Sequence, residues 1–297
     1  MKVLISGATG LIGSSLETRL SGQGMQVIRL ARAKAADAPS QILWNPVARI
    51  LDMKSLEGLD AVVHLAGDPI AQGRWNPEKK ARIRDSRVKG TRFLAESLAG
   101  LANPPKVLAC ASAIGIYGNR SEDLLTEESR PGTGFLAEVG QEWEKACEPA
   151  AQREIRVVNL RFGVVLSPKG GALPMMLPPF RLGLGGILGT GRQWMSWISI
   201  EDVTGAIQHA LNDSGIRGPV NVVSPNPVTN REFTQTLGRV LRRPTVFPVP
   251  AFAVRLLFGE LADEALLAST RVEPKRLQAT GYRFKHPELE AALRELL

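Results

Sequence analysis

Apolar positions in this chain concentrate in short runs at residues 3–6, 27–30, 61–65, 107–111 and 157–160, with longer stretches between most of them in which apolar residues recur at helical spacing. Runs that are apolar at neighbouring positions, and not only at alternate ones, predict strands covered on both faces. Helical segments between such strands predict crossover connections and a parallel sheet. The expected architecture is therefore α/β, a doubly wound parallel sheet with a small, mainly helical carboxyl-terminal part. Ligands of such sheets sit at the carboxyl ends of the strands. Gly7, Ala31 and Arg32, Ala66 and Gly67, and Ser112 each follow a predicted strand, so all are expected along one edge.

The first strand runs into Gly7, Gly10 and Gly13, and an amphipathic segment over residues 16–20 follows at once. Glycines between a strand and a helix let the backbone approach a pyrophosphate, and the amides opening the helix then face its charge. That context makes Gly7, Thr9, Gly10, Leu11, Ile12 and Gly13 candidate dinucleotide contacts, although a turn without a ligand would use the same glycines. After the second strand, an acidic residue would bind the ribose hydroxyls of NAD, whereas an arginine would receive the extra phosphate of NADP. No Asp or Glu occurs between Glu17 and Asp37, and Arg32 and Lys34 stand there instead. NADP is the expected cofactor, with Arg32 the first phosphate contact and Lys34 the second; as a plain solvated charge, Arg32 would reopen the choice.

With 297 residues and 44% hydrophobic content, the chain can bury a large core and has room for an annex. The expected division is a dinucleotide-binding part over 1–165, a substrate-side loop and further α/β elements over 166–247, and a helical end over 248–297. Three apolar stretches, 252–258, 261–267 and 289–297, suggest a compact cap. Between Gly163 and Gly191, glycines alternate with Pro174, Pro178 and Pro179, a texture that suits a mobile loop over a substrate or an irregular connection. The formal charge is +8, an excess that can serve nucleic acid, acidic membranes or anionic small molecules. The basic residues are scattered, aromatic residues for stacking bases are few, and no apolar run reaches the ~20 residues of a membrane span. The expected partner is a small molecule, with neither nucleic acid nor membrane, in a cytoplasmic monomer or homodimer. Cys110 and Cys147 have neither metal-ligand nor disulfide spacing and read as small core residues.

Several further motifs carry a family resemblance. They are Val63 to Gly67, Arg74-Trp75-Asn76, Asp85-Ser86-Arg87, Gly134-Phe135-Leu136 with Trp143-Glu144, Phe180 to Gly186, and Trp197-Ile198. With the glycine turn, these make the chain similar to the extended short-chain dehydrogenase/reductases, and within them to the atypical YfcH-like epimerase family with its closing domain of unknown function. The resemblance runs nearly end to end and implies a Rossmann fold of the extended type. Ordinary members of that superfamily move the substrate proton with a tyrosine four residues before a lysine. Here Tyr117 precedes Ser121 and Tyr282 precedes His286 at that spacing, so the pair is absent.

What the resemblance retains is partial. It places Ser112 where related enzymes hydrogen-bond a substrate carbonyl or hydroxyl, or where a strand-end hydroxyl satisfies its own backbone. It offers Tyr117 as a stand-in proton donor or as a residue that shapes the pocket. Arg87 takes the place of an asparagine on a helix beside the crevice and is expected on a cofactor phosphate. Gly163 and Val165, after Arg161, are expected at the nicotinamide end, and Leu65, Ala66 and Gly67 along the cofactor. Arg181, Arg192, Gln193 and Trp197 belong to the segment that holds a sugar nucleotide in similar enzymes. Glu127, Glu138, Glu144 and Asp202 are carboxylates near the expected pocket, each a candidate acid or base and each equally suited to solvation or capping. His64 reads as a packed strand residue. Three activities remain open: an NADPH-dependent reductase in which Ser112 polarises a carbonyl, a nucleotide-sugar epimerase, and an NADPH-binding protein without turnover.

Overall fold

The structure is a computed structural model that describes residues 1–32 and 40–297. In chain order, the first half comprises β1 (Lys2–Ser6), α1 (Leu11–Ser21), β2 (Gln26–Ala31), β3 (Gln41–Asn45), β4 (Ile50–Leu51), β5 (Ala61–His64), α2 (Pro77–Ala99) and β6 (Val107–Ala113). Next come β7 (Leu124–Leu125), α3 (Phe135–Lys145), α4 (Glu148–Gln152), β8 (Arg156–Phe162), β9 (Val164–Leu166), α5 (Ala172–Arg181), β10 (Gly186–Leu188), β11 (Trp194–Met195), β12 (Trp197–Ser199) and α6 (Ile200–Asn212). The chain closes with β13 (Gly218–Val222), β14 (Val228–Thr229), α7 (Asn230–Leu241), β15 (Phe247–Val249), α8 (Ala251–Phe258), β16 (Arg271–Val272), α9 (Lys275–Ala279) and α10 (Leu289–Leu296).

Eight strands form one sheet in the order β13-β8-β6-β5-β1-β2-β3-β4. Every pairing in it is parallel except β3 with β4 at the edge. Strand order reverses at β1, so the crevice between the ends of β1 and β5 is the topological switch point where such sheets take their ligands. Side chains alternate across the sheet. Val3, Ile5, Ala61 and Val63 face a core built with α1 and α6, where Leu16, Leu20, Val203 and Ile207 are buried. Leu4, Val62 and Leu108 face the opposite core, with Leu94 and Leu98 of α2 and Trp143 of α3. Two covered faces explain why the strands read as largely apolar runs.

The glycine- and proline-rich segment is not an irregular loop. It contains α5, whose Leu173, Leu177 and Phe180 are buried in spite of Pro178 and Pro179 inside the helix. Its glycines allow close packing: a Cβ on Gly185 would lie 2.5 Å from the Phe180 ring, and one on Gly186 would strike the Phe247 carbonyl oxygen. The carboxyl-terminal segment is stitched into the rest of the molecule. β15 pairs with β10 and β16 with β7, while α10 shares a core with α5 and α7. No described helix is long and apolar enough to cross a membrane.

Candidate functional site at the strand ends

Gly7 closes β1 with φ 69°, and a Cβ there would lie 2.9 Å from the Leu65 carbonyl carbon. A left-handed backbone and this close approach both select glycine. At Gly13 a Cβ would come within 2.2 Å of the Gly7 oxygen, so the third glycine lets α1 pack against the turn. Gly10 is the N-cap of α1; it has no side-chain cap, and the first turn carries no acidic residue. The amides of Leu11, Ile12 and Gly13 precede the helical ladder, and with the helix dipole they form an anion-binding end beside the crevice. Thr9 and Gly10 are exposed, and Leu11 and Ile12 half-buried, at this end.

Leu65 and Ala66 are half-buried and Gly67 exposed just past β5. Their backbone is held by Ser6, whose Oγ accepts from the Leu65 amide at 3.1 Å and the Ala66 amide at 3.3 Å. His64 Nδ1 lies 2.6 Å from the same oxygen, and burial pushes the His64 pKa down to about 4. It is thus a neutral packed residue, as its sequence context suggested. Arg32 stands exposed one residue past β2. The neighbouring Arg29 is engaged by Glu17 at 2.8 Å, so among the described residues Arg32 is the strand-end cation with no ion pair. Lys34 lies outside the described residues.

Arg87 projects from α2 against Gly67, where a Cβ would be 3.3 Å from its Cζ. It donates to the carbonyls of Asp68 at 2.9 Å and Ile83 at 3.1 Å, and its guanidinium lies 5.0 Å from the Trp143 ring centre. Burial lowers its pKa to about 10, partly offset by the Asp68 charge. The guanidinium therefore stays charged at neutral pH. Asp68 itself is taken by the buried Lys79 at 2.5 Å, and Arg87 has no carboxylate within 4.0 Å among the described residues. A desolvated cation with only carbonyl partners at the crevice wall is suited to an incoming anion.

A different arrangement lies below the end of β6. Ser112 Oγ donates to Glu144 Oε1 at 2.7 Å. Arg161 grips the same carboxylate with two bonds, Nε to Oε1 at 2.7 Å and Nη2 to Oε2 at 2.8 Å, and its Nη1 donates to the Tyr117 hydroxyl at 2.8 Å. Tyr117 in turn lies 2.7 Å from Asn221 Oδ1, and the Asn221 amide donates to Glu127 Oε1 at 3.0 Å. The Arg161 and Glu144 side chains are only 7% and 13% exposed. Burial alone would lower the Arg161 pKa, but the Glu144 carboxylate outweighs it and the net direction is upward. Burial raises the Tyr117 pKa against the pull of Arg161 and Asn221.

This network fixes what the serine and tyrosine can do. Tyr117 is wholly buried, so its hydroxyl serves the interior and has no path to a substrate in the crevice. Its raised pKa is also opposite to what proton transfer near neutrality requires. Ser112 is buried as well, and its one hydroxyl proton is committed to Glu144, which leaves only lone pairs to present. It therefore cannot polarise a carbonyl in this state, in contrast to the reductase expectation. Glu144 also borders an open groove of about 770 Å³, with Asn159 and Arg276 among the lining.

Gly163 passes under Ser196, where a Cβ would be 2.5 Å from the Ser196 oxygen, and Val165 pairs with Ile198. Both are half-buried beyond β8. Of the other carboxylates, Glu138 is exposed on α3. Asp202 is enclosed, receiving the Ser199 hydroxyl at 2.9 Å and the amides of Lys285 at 2.7 Å and His286 at 2.9 Å. It anchors the carboxyl-terminal segment. Arg181 and Arg192 are exposed; Gln193 bonds the Leu188 carbonyl at 3.1 Å, and the buried Trp197 donates to the Asn226 carbonyl at 3.0 Å. Sequence reading did not link Glu144 to Arg161 and did not single out Asn221. The available signal was an arginine inside the apolar run of β8, a position that demands a buried partner.

Comparison with known proteins agrees with this geometry. Residues 3–223 match the model of the NAD dependent epimerase/dehydratase family, and residues 249–296 match a domain of unknown function, DUF1731. The epimerase family protein Mb2239 of Mycobacterium bovis is 45% identical over 293 residues, covering 98% of this chain and 96% of its own. The crystal structure of the human epimerase family protein SDR39U1 with NADPH is 36% identical, with a TM-score of 0.92 over 100% of this chain and 99% of that one. A nucleoside-diphosphate sugar epimerase from Corynebacterium glutamicum is 37% identical, with a TM-score of 0.83 over 100% of this chain and 58% of that one.

Proposed function

Because the chain belongs to the NAD dependent epimerase/dehydratase family, we propose that it is an NADP(H)-binding atypical short-chain dehydrogenase/reductase, acting as an oxidoreductase on a small molecule. The observation that carries this reading is Arg87, a half-buried cation with no carboxylate within 4.0 Å among the described residues, set against Gly67 at the switch-point crevice that the uncapped start of α1 also borders. The residues fit the cofactor. The amides of Leu11 to Gly13 and the Arg87 guanidinium would hold the pyrophosphate, and Arg32 the additional phosphate. The likeness to a human protein crystallised with NADPH supports the choice of NADP(H) over NAD(H).

When bound, the nicotinamide supplies or takes up hydride. The chain's own part is to orient and to handle the proton. With its hydroxyl proton on Glu144, Ser112 presents an acceptor at the end of β6, which suits a substrate hydroxyl more than a carbonyl. Since Glu144 also borders the open groove, the Ser112–Glu144 pair gives a proton a route towards water in place of the missing tyrosine and lysine.

The test begins with calorimetric and fluorescence titration of NADPH and NADH into the whole chain. Saturable binding, tighter for NADPH, is the expected result; no binding of either would overturn the reading. Absorbance assays then follow NADP⁺ reduction with alcohols and NADPH oxidation with aldehydes, ketones and quinones. A second reading, nucleotide-sugar epimerase, draws on the likeness to the C. glutamicum protein and on the exposed Arg181 and Arg192. Interconversion of sugar nucleotides without net change in NADPH would establish it. Tight binding with no turnover in any panel would identify a cofactor-binding protein.

A further inference from the structure

Folding gathers apolar and basic residues that the sequence scatters. Leu182, Leu184, Val246, Phe247, Phe252 and Leu256 are large apolar side chains, each between 53% and 75% exposed. They belong to three adjoining segments. A Cβ on Gly183 would lie 3.7 Å from Pro244, β10 pairs with β15 through Gly186 and Phe247, and a Cβ on Gly189 would lie 3.7 Å from that of Ala251 at the start of α8. Within α8, Val254 is buried, while Phe252 and Leu256, four residues apart, share an outward stripe with Leu257 beside it. Isolated exposed apolar residues need no explanation, but a cluster on adjoining segments does.

Charge identifies the occupant. Arg181 precedes Leu182, and Arg242 and Arg243 precede the segment that carries Val246 and Phe247. All three are exposed and have no carboxylate within 4.0 Å among the described residues. The acidic residues near α8 are already engaged: Asp263 by Arg255 at 2.9 Å, Glu260 by Lys80 at 2.7 Å, and Glu264 by the opening amides of α3 at 3.1 and 3.0 Å. We propose that this face docks on the surface of an anionic lipid bilayer, with the apolar side chains at the headgroup–acyl boundary and the arginines on headgroup phosphates. An apolar centre with a basic border is the chemistry such surfaces select. A second copy of the chain is disfavoured, because a two-fold contact over this patch would bring like-charged arginines together while the described carboxylates near α8 are already engaged. The proposal does not depend on the function above, and it revises the sequence expectation that no membrane is involved.

The experiment is flotation of the whole chain with vesicles of phosphatidylcholine alone and of phosphatidylcholine mixed with phosphatidylglycerol. Binding to the anionic vesicles that weakens as salt rises is expected. Arg242→Glu with Arg243→Glu should lower it by tenfold or more, since each arginine contributes roughly fivefold at such a surface. Leu256→Asp should lower it too, while the circular dichroism spectrum and NADPH titration match the parent chain. No flotation, or equal binding to both vesicle types without salt dependence, would overturn the proposal. So would a concentration-dependent dimer in ultracentrifugation that Leu256→Asp dissociates, which would assign the face to a second copy.

Discussion

The switch-point crevice contains a half-buried arginine and the polar cluster at the end of β6 a buried one, and the two arginines are treated in opposite ways. Arg161 is matched by a carboxylate, a tyrosine hydroxyl and a backbone oxygen. Arg87 has two carbonyls, an aromatic ring and, among the described residues, no carboxylate within 4.0 Å. A fully matched buried charge holds its surroundings in one arrangement, whereas an unmatched one at a wall leaves interaction strength for an incoming group. The difference teaches that charge is matched within the chain at one place and left available at the other, which is where the proposed cofactor contact lies.

The comparison can be broken most severely at the closed end. Arg161→Met should cost about 3–5 kcal/mol in urea unfolding, because it strands Glu144 as a buried charge; a loss as small as that of a surface arginine would show the cluster to be replaceable. His64, beside the crevice, should make stability depend on pH. Its pKa is lowered from 6.5 to about 4 by burial, so its unfolded form binds more protons between those values. Its contribution is complete above pH 6.5 and is lost as pH falls towards 4, to a total of about 3 kcal/mol. Unfolding curves across that window should show the slope, and His64→Asn should flatten it.

Arg87→Met sharpens the contrast by reversing the outcome. Stability should change by less than about 1 kcal/mol, since no carboxylate is stranded, while NADPH affinity in calorimetry falls roughly tenfold to a hundredfold. Unchanged affinity would remove Arg87 from the cofactor site. The smallest effect is expected at Arg32, where Arg32→Ala should weaken NADPH about tenfold and leave NADH nearly unchanged. Equal losses for both cofactors would place the arginine away from the additional phosphate.

The crevice was legible in the sequence because its parts are local: Gly7, Gly10 and Gly13 sit within seven residues of one another and announce a strand, a turn and a helix. The polar cluster was not, since Ser112, Arg161 and Asn221 come from three strands and Glu144 from α3, and only the packing of that helix on the parallel sheet brings them together. Direction was also hidden. A serine at a strand end gives no sign of whether its proton points to a ligand or to a carboxylate on α3. Gly185 and Gly186 misled for another reason, because the absence of a side chain serves mobility and close approach equally well, and here the Phe180 ring and the Phe247 carbonyl decide for approach. Chain distance also hid a neighbourhood, as Arg181 and Arg242 lie far apart in the sequence and on adjoining segments in space.

The stitching of the carboxyl-terminal residues bears on how the molecule is made. Asp202 is satisfied by amides at 285 and 286, and Leu289 and Leu293 fill a core begun by Leu173 and Phe233. Neither the carboxylate nor this core is complete without residues 285–293, so a chain cut before them would keep the sheet strands but leave Asp202 short of two amide donors and the core open on one side.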